Sequence, residues 1–441
     1  MVKYKTKKEA ITTGANQEYF AVRDAIGSID IGLTNLPKIP SLLFPPEYRL
    51  LPNVSEQFEL EFAFYEYKLL SKKDIIKRGG FFESVNGDVT NHYVICSNNS
   101  PLIWEGRSEL TKSYFKEGNF STGYATHGLF PYRGKFHPQL VKGIMNLIGV
   151  KEGDTILDPM CGSGTLNVES ALIGVNSIGI DKNPFGVFMS KVKYESLKAN
   201  DSVLEKVSNN AKDIYQKLNN RKQIPDGFLP DNLDISKGII LLAYLDAMGY
   251  ARRCTKTIDV LFPKVLNRYL GQIKSFIDAR NKLDLGIGKA RFEYGDARNL
   301  SSIKDDSIDG IITSPPYSFA IDYADNDRPQ LEFLGYNPDD LRNEMLGLQG
   351  KNIGDKLSTY FADMNKVISE MARVLKKGKY AVIIIGSNDI QTGGIRLETE
   401  VEKMAQNNGF VLENKINKPI KGMRNTMKDE FILFLRKSKD I

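Results

Sequence analysis

The chain has little that would staple it, anchor it or bind a metal. Its three cysteines, Cys96, Cys161 and Cys254, cannot build a disulfide framework, and their spacing matches no zinc site. No metal is therefore expected, and a reducing cytoplasm is the expected compartment. No apolar run approaches the roughly 20 residues that cross a bilayer, so no membrane partner is expected either. The opening Met1-Val2-Lys3-Tyr4-Lys5-Thr6-Lys7-Lys8-Glu9 has charges with no apolar core behind them, unlike a secretory signal. There is no internal repeat and no low-complexity stretch. Charge of neither sign dominates: 60 Lys+Arg against 54 Asp+Glu, a net +6, permits a polyanionic partner without demanding one. With 41% hydrophobic and 26% charged residues, the composition is that of an ordinary globular protein. Its 441 residues suffice for one large domain with insertions or for two to three smaller ones.

The first 120 or so residues carry the fewest signals. Leu36-Pro37-Lys38-Ile39-Pro40 and Leu43-Phe44-Pro45-Pro46 predict irregular, extended chain, because proline lacks an N–H and fixes φ. Residues 58–76 have room for one or two short helices, and His92-Tyr93-Val94-Ile95-Cys96 reads as a short strand with Trp104 soon after it. Packing, dimerisation and substrate recognition all stay open for this extension.

Turn formers dominate residues 126–138, and a helix is expected over 138–147. Residues 154–158 then read as a buried strand that runs into Pro159-Met160-Cys161-Gly162-Ser163-Gly164-Thr165, followed by a helix over 166–173. Strand, glycine-rich turn and helix are the opening of a nucleotide-binding βα unit. Gly162 and Gly164 let the backbone approach a ligand closely. Asp158 at the strand tip would repel a pyrophosphate. A carboxylate there suits a ligand with an ammonium group, such as the methionine end of S-adenosylmethionine. The next strand, 177–180, ends in Asp181, about 20 residues on, where an acidic side chain grips ribose hydroxyls. Asn183-Pro184 starts a helix to about Leu197. The helical stretch from roughly 200 to 285 far exceeds a loop of about 2–6 residues with one crossover helix, so it is a subdomain. Its basic residues Arg252, Arg253, Lys256, Lys264 and Arg268 face either phosphates or solvent.

Residues 291–296 read as a third strand, whose terminal Asp296 can accept from an adenine amino group or cap a helix. The apolar run 308–312 reads as a buried parallel strand. It ends in Thr313-Ser314-Pro315-Pro316-Tyr317. The two prolines hold Ser314 and the following carbonyls in a stiff, extended turn at the strand's carboxyl end, where open α/β sheets bind ligands. A hydroxyl, free carbonyls and an aromatic ring suit a flat base with an exocyclic amino group; a simple strand-capping turn is the alternative. The polar stretch from 318 to about 356 is expected to form a lid or a substrate-contacting loop. A helix over 359–375, a strand over 380–385, a helix over 398–407 and a closing hairpin of 410–416 with 430–435 complete the pattern. The basic loop inside that hairpin offers Lys421, Arg424 and Lys428 as phosphate contacts.

Taken together, Asp158 to Thr165, Asp181, Asp296 and Thr313 to Tyr317 resemble the amino-group (cytosine-N4 and adenine-N6) DNA methyltransferases, most closely the cytosine-N4 branch. The resemblance covers about 126–336 and the closing strands, leaving the first 120 residues and the insertion outside it. It implies an α/β, Rossmann-like fold: a mostly parallel seven-stranded sheet with one antiparallel strand, in a catalytic domain 121–441 that carries the 200–285 insertion and follows a 1–120 extension. It implies S-adenosyl-L-methionine as cofactor, contacted by His137, Asp158, Pro159, Met160, Cys161, Gly162, Ser163, Gly164, Thr165, Asp181, Lys182, Asp296, Ala297 and Thr313. Double-stranded DNA is the implied partner, met by Arg328, Lys421, Arg424 and Lys428. A cognate restriction endonuclease and the oligomeric state stay open.

The resemblance also implies a mechanism. The Ser314 hydroxyl and the Pro315 carbonyl would accept the two N–H groups of a flipped base's amino nitrogen, localising its lone pair. Pro316 stiffens the turn and Tyr317 stacks on the base. Positioning of this kind contributes on the order of 7–11 kcal/mol, and the acidic ammonium product needs no strong base. Serine before the prolines leans towards cytosine N4 without excluding adenine N6. The chain departs from the pattern in having Met160 where an aromatic is common, in placing the cofactor motif before the catalytic one, and in showing no recognition domain. Cys161 lies in the cofactor turn, away from any base, so it is read as packing and not as a covalent nucleophile. Two further readings are an RNA methyltransferase acting on a guanine or adenine amino group, and a cofactor-binding specificity subunit without catalysis.

Overall fold

The structure, a computed structural model, describes residues 39–54, 56–97, 122–132, 134–220, 233–317, 322–387, 392–420 and 429–438. The chain divides into two compact units, Met1–Pro46 and Glu47–Ile441. The break falls well before the boundary near residue 120 expected from the sequence. In the first unit the described part contains a short helix, α1 (Ile39–Leu43), where extended chain was expected. Pro40 is the second residue of that helix, a position at which its missing N–H forfeits no intrahelical bond.

The second unit opens with an antiparallel sheet in the order β1 (Tyr48–Leu50), β2 (Phe82–Val85), β3 (Asp88–Val89). Helices α2 (Gln57–Leu69) and α3 (Lys72–Arg78) fill the stretch expected to hold one or two. The expected strand at 92–96 is instead helix α4 (Asn91–Ser97). Thr90 Oγ1 accepts from the Tyr93 amide at 3.1 Å, an N-cap that starts the helix. His92 and Cys96, four residues apart, then share its buried face. A five-residue apolar run is ambiguous by periodicity alone, and here the cap and the packing decide it.

These early elements dock on α5 (Pro138–Leu147). The buried Glu66 carboxylate accepts from the Gly80 amide at 2.9 Å and from Asn146 Nδ2 at 2.6 Å, while burial pushes its pKa up to about 7. Gln139 Nε2 donates to the Gly80 carbonyl at 2.9 Å. A side chain at Gly143 would start 2.8 Å from the Phe62 ring and 2.7 Å from Phe81, so the close approach of α5 requires glycine there.

The main sheet has seven strands: β4 (Thr155–Asp158), β5 (Asn176–Asp181), β6 (Ala290–Tyr294), β7 (Gly310–Thr313), β8 (Tyr380–Gly386), β9 (Phe410–Pro419) and β10 (Asp429–Lys437). Their order is β6-β5-β4-β7-β8-β10-β9. β10 runs antiparallel to β8 and β9, and every other pairing is parallel. This is the mostly parallel sheet with one reversed strand expected above. Continuous apolar strands such as Gly310–Thr313 are buried throughout, as befits strands covered on both faces.

Helices α6 (Thr165–Leu172) and α7 (Pro184–Leu197) follow β4 and β5. The insertion supplies α8 (Asp201–Asn220), α9 (Ile235–Ala251) and α10 (Ile258–Leu283), whose apolar faces bury Ile239, Leu242, Phe262 and Ile273 with Phe185, Phe188 and Val192 of α7. These three helices occupy the stretch read from the sequence as a helical insertion. The stretch expected as a lid or a substrate-contacting loop folds, over its described part, into three short helices, α11 (Tyr323–Asn326), α12 (Arg328–Phe333) and α13 (Pro338–Glu344). Asp322 and Asn337 cap the first and third, and Pro338 opens the latter. Helices α14 (Ile353–Val374) and α15 (Leu397–Asn407) bury Tyr360, Met364, Val367 and Val401 against Leu157, Ile311 and Ile383 of the sheet. Among the described residues, no helix is long and apolar enough to cross a membrane.

Candidate active site

The strand order reverses direction at β4: β5 and β6 lie to one side of it and β7 and β8 to the other. Such a switch point leaves a crevice at the strands' carboxyl ends. A cleft opens there. Its walls come from four strand ends: Pro159 to Ser163 after β4, Asp181 and Lys182 at the end of β5, Asp296 and Ala297 after β6, and Ser314 and Pro316 after β7.

The turn after β4 is built for close approach. Gly162 and Gly164 have φ of +49° and +71°, which only glycine adopts without cost. A Cβ on Gly164 would sit 2.8 Å from Ser190 Cβ, so α6 could not start where it does with any other residue. The Asp181 carboxylate holds the turn in place: Oδ2 accepts from the Gly162 amide at 2.6 Å and Oδ1 from the Asn183 amide at 2.8 Å. Burial raises the Asp181 pKa, with those amides working in the opposite direction. Cys161 is buried with its thiol pKa pushed up by burial, which suits packing and no other task.

Asp158 lies beneath this turn, fully buried. Its Oδ1 accepts from Thr313 Oγ1 at 2.8 Å and from the Met160 amide at 3.1 Å. Its Oδ2 is buried and has no hydrogen-bond partner among the described residues. Burial accordingly pushes the pKa up to about 7. A carboxylate with one oxygen uncompensated is unfavourable on its own, and a ligand cation would relieve it. Thr313 thus couples β7 to β4 under the cleft, and Thr165, at the start of α6, is buried with its hydroxyl 3.3 Å from Ser163 Oγ.

On the β6 side, Arg298 grips Asp296 through Nε at 2.9 Å and NH2 at 2.6 Å. Burial alone would raise the Asp296 pKa, but the Arg298 bonds outweigh it and hold it below the usual carboxylate range. The same guanidinium reaches Asp363 Oδ2 at 2.7 Å and the Glu344 carbonyl at 2.8 Å. Lys182 Nζ pairs with Glu344 at 2.5 Å, so the end of α13 is pinned across this part of the cleft.

On the β7 side, Ser314 Oγ is 3.1 Å from the Tyr317 hydroxyl, which donates to Glu430 Oε1 at 3.0 Å. Pro315 is buried. The Tyr317 ring packs against the sheet core, and burial pushes its pKa well above the ordinary value. His137 stands at the N-cap of α5, its pKa lowered to about 4 by burial and by the nearby Lys418 and Lys135.

A family model described as DNA methylase matches residues 308–441, and one described as RMKL-like, methyltransferase domain, matches 129–223. The first therefore contains β7 and the Ser314 turn, and the second the glycine turn. The Type II methyltransferase M.BsoBI of Geobacillus stearothermophilus is 25% identical over 281 residues, 49% of this chain and 54% of that protein. The Type II methyltransferase M.MjaII of Methanocaldococcus jannaschii is 46% identical over 69 residues, 16% of this chain and 13% of that protein. The chain is thus similar to methyltransferases along two separate stretches, one over the glycine turn and one over the Ser314 turn. A tRNA (guanine(10)-N2)-dimethyltransferase of Methanothermobacter thermautotrophicus is also 48% identical over 83 residues, 18% of this chain and 25% of that protein. The chain thus spans from 13% to 54% of these relatives' lengths.

The structure brings the glycine turn, Asp181, Lys182, Asp296, Ala297, Ser314 and Pro316 onto one cleft. His137, Asp158, Gly164, Thr165, Thr313, Pro315 and Tyr317 are not on the cleft lining, and the Tyr317 hydroxyl bonds Glu430. Arg328, expected on the nucleic acid, is matched by Asp325 at 3.0 Å and Asp339 at 2.7 Å. Lys421, Arg424 and Lys428 lie outside the described residues. Tyr132 and Lys135, from the stretch at 127–138 that resembles a segment over the methionine end of the cofactor, and Tyr323 and Met345, from the stretch 318–356 expected as a lid or substrate-contacting loop, line the cleft, as does Arg298, which no expectation named. Tyr132 and Tyr323 stack at 6.3 Å between ring centroids. Among the described residues, no cluster of His, Cys, Asp and Glu is arranged to hold a metal ion.

Proposed function

We propose that the protein transfers a methyl group from S-adenosyl-L-methionine to the exocyclic amino nitrogen of a base extruded from double-stranded DNA. The observation that carries this is that Ser314 opens onto the same cleft as the glycine turn and the two acids Asp181 and Asp296. The residues fit the cofactor. Asp158 has an unpartnered buried oxygen for a cation, Gly162 and Gly164 leave room against the backbone, and Asp181 and Asp296 provide acceptors for hydroxyl and amino groups. When bound, the cofactor supplies an electrophilic methyl group.

The chain's own residues would do the rest. Ser314 Oγ and the Pro315 carbonyl accept the two amino N–H groups, which localises the nitrogen lone pair. The two prolines keep these acceptors from reorganising, the arrangement that makes such sites effective. Extruding the base costs a few kcal/mol, and stacking on an aromatic returns roughly 1–3 kcal/mol.

We infer cytosine N4 as the acceptor because serine stands before the prolines, with adenine N6 as the alternative within the same chemistry. An RNA amino group is the second reading, favoured by the RMKL-like match over 129–223 and the tRNA methyltransferase relative. Incubation with labelled cofactor and either duplex DNA or tRNA, followed by nucleoside mass spectrometry, tests all of these. N4-methylcytosine is expected; N6-methyladenine or N2-methylguanine would reassign the base, and no product would leave a cofactor-binding module.

A further inference from the structure

We infer that Glu430, on the closing strand β10, is a positioning residue that sets which way the Ser314 hydroxyl points. The inference rests on the methyl-transfer reading above. A hydroxyl has one O–H to give and two lone pairs to receive, and an ionised carboxylate only receives. Lys418 Nζ bonds Glu430 Oε2, which holds that side chain as an acceptor. Tyr317 must then spend its O–H on Glu430 Oε1, at 3.0 Å. The 3.1 Å contact between Ser314 Oγ and Tyr317 has one consistent direction left: Ser314 donates to the Tyr317 oxygen. With its only hydrogen used there, Ser314 presents lone pairs to the cleft. An incoming amino group, which carries two N–H donors, meets an acceptor and not a competing donor. Glu430 lies 113 residues from Tyr317 along the chain, so no motif spacing announces the link.

The relay also says what an isosteric change would do. In Glu430→Gln the amide oxygen would turn to Lys418, leaving the NH₂ facing Tyr317. The two bonds beyond Lys418 then reverse: the amide donates to Tyr317, Tyr317 donates to Ser314, and the Ser314 O–H is pushed towards the cleft. Size, fold and cofactor contacts are unchanged.

The test uses the full chain, methyl-labelled S-adenosylmethionine and unmethylated plasmid DNA, comparing wild type, E430Q, Y317F and the double variant Y317F/E430Q. E430Q is expected to keep the wild-type KM for cofactor and to lose at least about tenfold in kcat, which corresponds to about 1.36 kcal/mol of barrier. Y317F, which keeps the ring and removes the relay, should slow kcat to a similar degree. Adding E430Q to Y317F should then cost nothing more, because coupled residues are non-additive. A merely structural Glu430 would instead lower stability and act additively. Wild-type kcat in E430Q, or additive losses in the double variant, overturns the inference while leaving methyl transfer intact. If E430Q does not fold, wild-type kcat in Y317F overturns it. A wild-type chain without product on plasmid DNA or tRNA overturns the methyl-transfer reading itself.

Discussion

Two buried carboxylates in the same unit, Glu169 and Asp158, have been treated in opposite ways. Glu169, on α6, receives hydrogen bonds at 2.7 Å from both His127 Nε2 and Tyr124, and pairs with Lys142 at 3.3 Å. Burial would raise its pKa, but Lys142 and His127 outweigh it and bring it down to about 2. Lys142 in turn contacts His92 Nδ1 at 3.1 Å, which ties α4 to α5 and α6. Each keeps one oxygen without a hydrogen bond, Glu169 Oε2 and Asp158 Oδ2, but Lys142 faces the first, whereas Asp158, about as deep, has no ion-pair partner among the described residues. The first is compensated by the protein and is structural. The second is the one that a ligand cation would compensate under the proposed function. Buried polar groups left open beside a cleft are a better guide to function than burial alone.

The largest effect expected from breaking this comparison is at Glu169. Glu169→Ala would leave Lys142 buried without its counter-charge, and the loss should be about 3–5 kcal/mol of folding stability, read by urea unfolding. Asp158→Asn should do the reverse: stability unchanged or higher, with affinity for S-adenosylmethionine falling on the order of tenfold by calorimetry, the scale of one charged hydrogen bond.

The pH dependence separates the two as well. The folded-state pKa of Glu169, about 2, lies below its ordinary 4.5, so its contribution of about 3 kcal/mol is present above pH 4.5 and is lost as pH falls towards 2. The folded-state pKa of Asp158, about 7, lies above its ordinary 3.8. Its neutral form is the one the apo fold favours, so stability from this group is complete below pH 3.8 and declines as pH rises through 7. Binding of a cationic ligand should therefore tighten as pH rises through 7 and release a proton. Calorimetry in buffers of different ionisation heat measures that proton. The smallest expected effect is Thr313→Val, which removes one donor to Asp158 and should raise the pH at which binding tightens, with a stability change of about 1 kcal/mol.

Much of the cleft was legible in the sequence because it is made of strand ends. A strand followed at once by turn residues puts Asp158 to Thr165, Asp181, Asp296 and Ser314 on one rim of a parallel sheet wherever those strands are neighbours. The rest comes from elements far along the chain. Glu430 reaches Tyr317, and Lys418 reaches Glu430, because β10 inserts between β8 and β9. Met345 reaches the cleft because the polar stretch expected as a lid or a substrate-contacting loop folds into short capped helices. The Glu169 cluster was invisible for the same reason: His92, Tyr124, His127 and Lys142 are brought to it from three separate segments, and α4 had been read as a strand.

The most direct test compares wild type with Ser314→Ala on methyl-labelled S-adenosylmethionine and unmethylated duplex DNA. The account predicts labelled N4-methylcytosine from the wild type, and from the variant no product with cofactor affinity unchanged. Wild-type turnover by Ser314→Ala would contradict it.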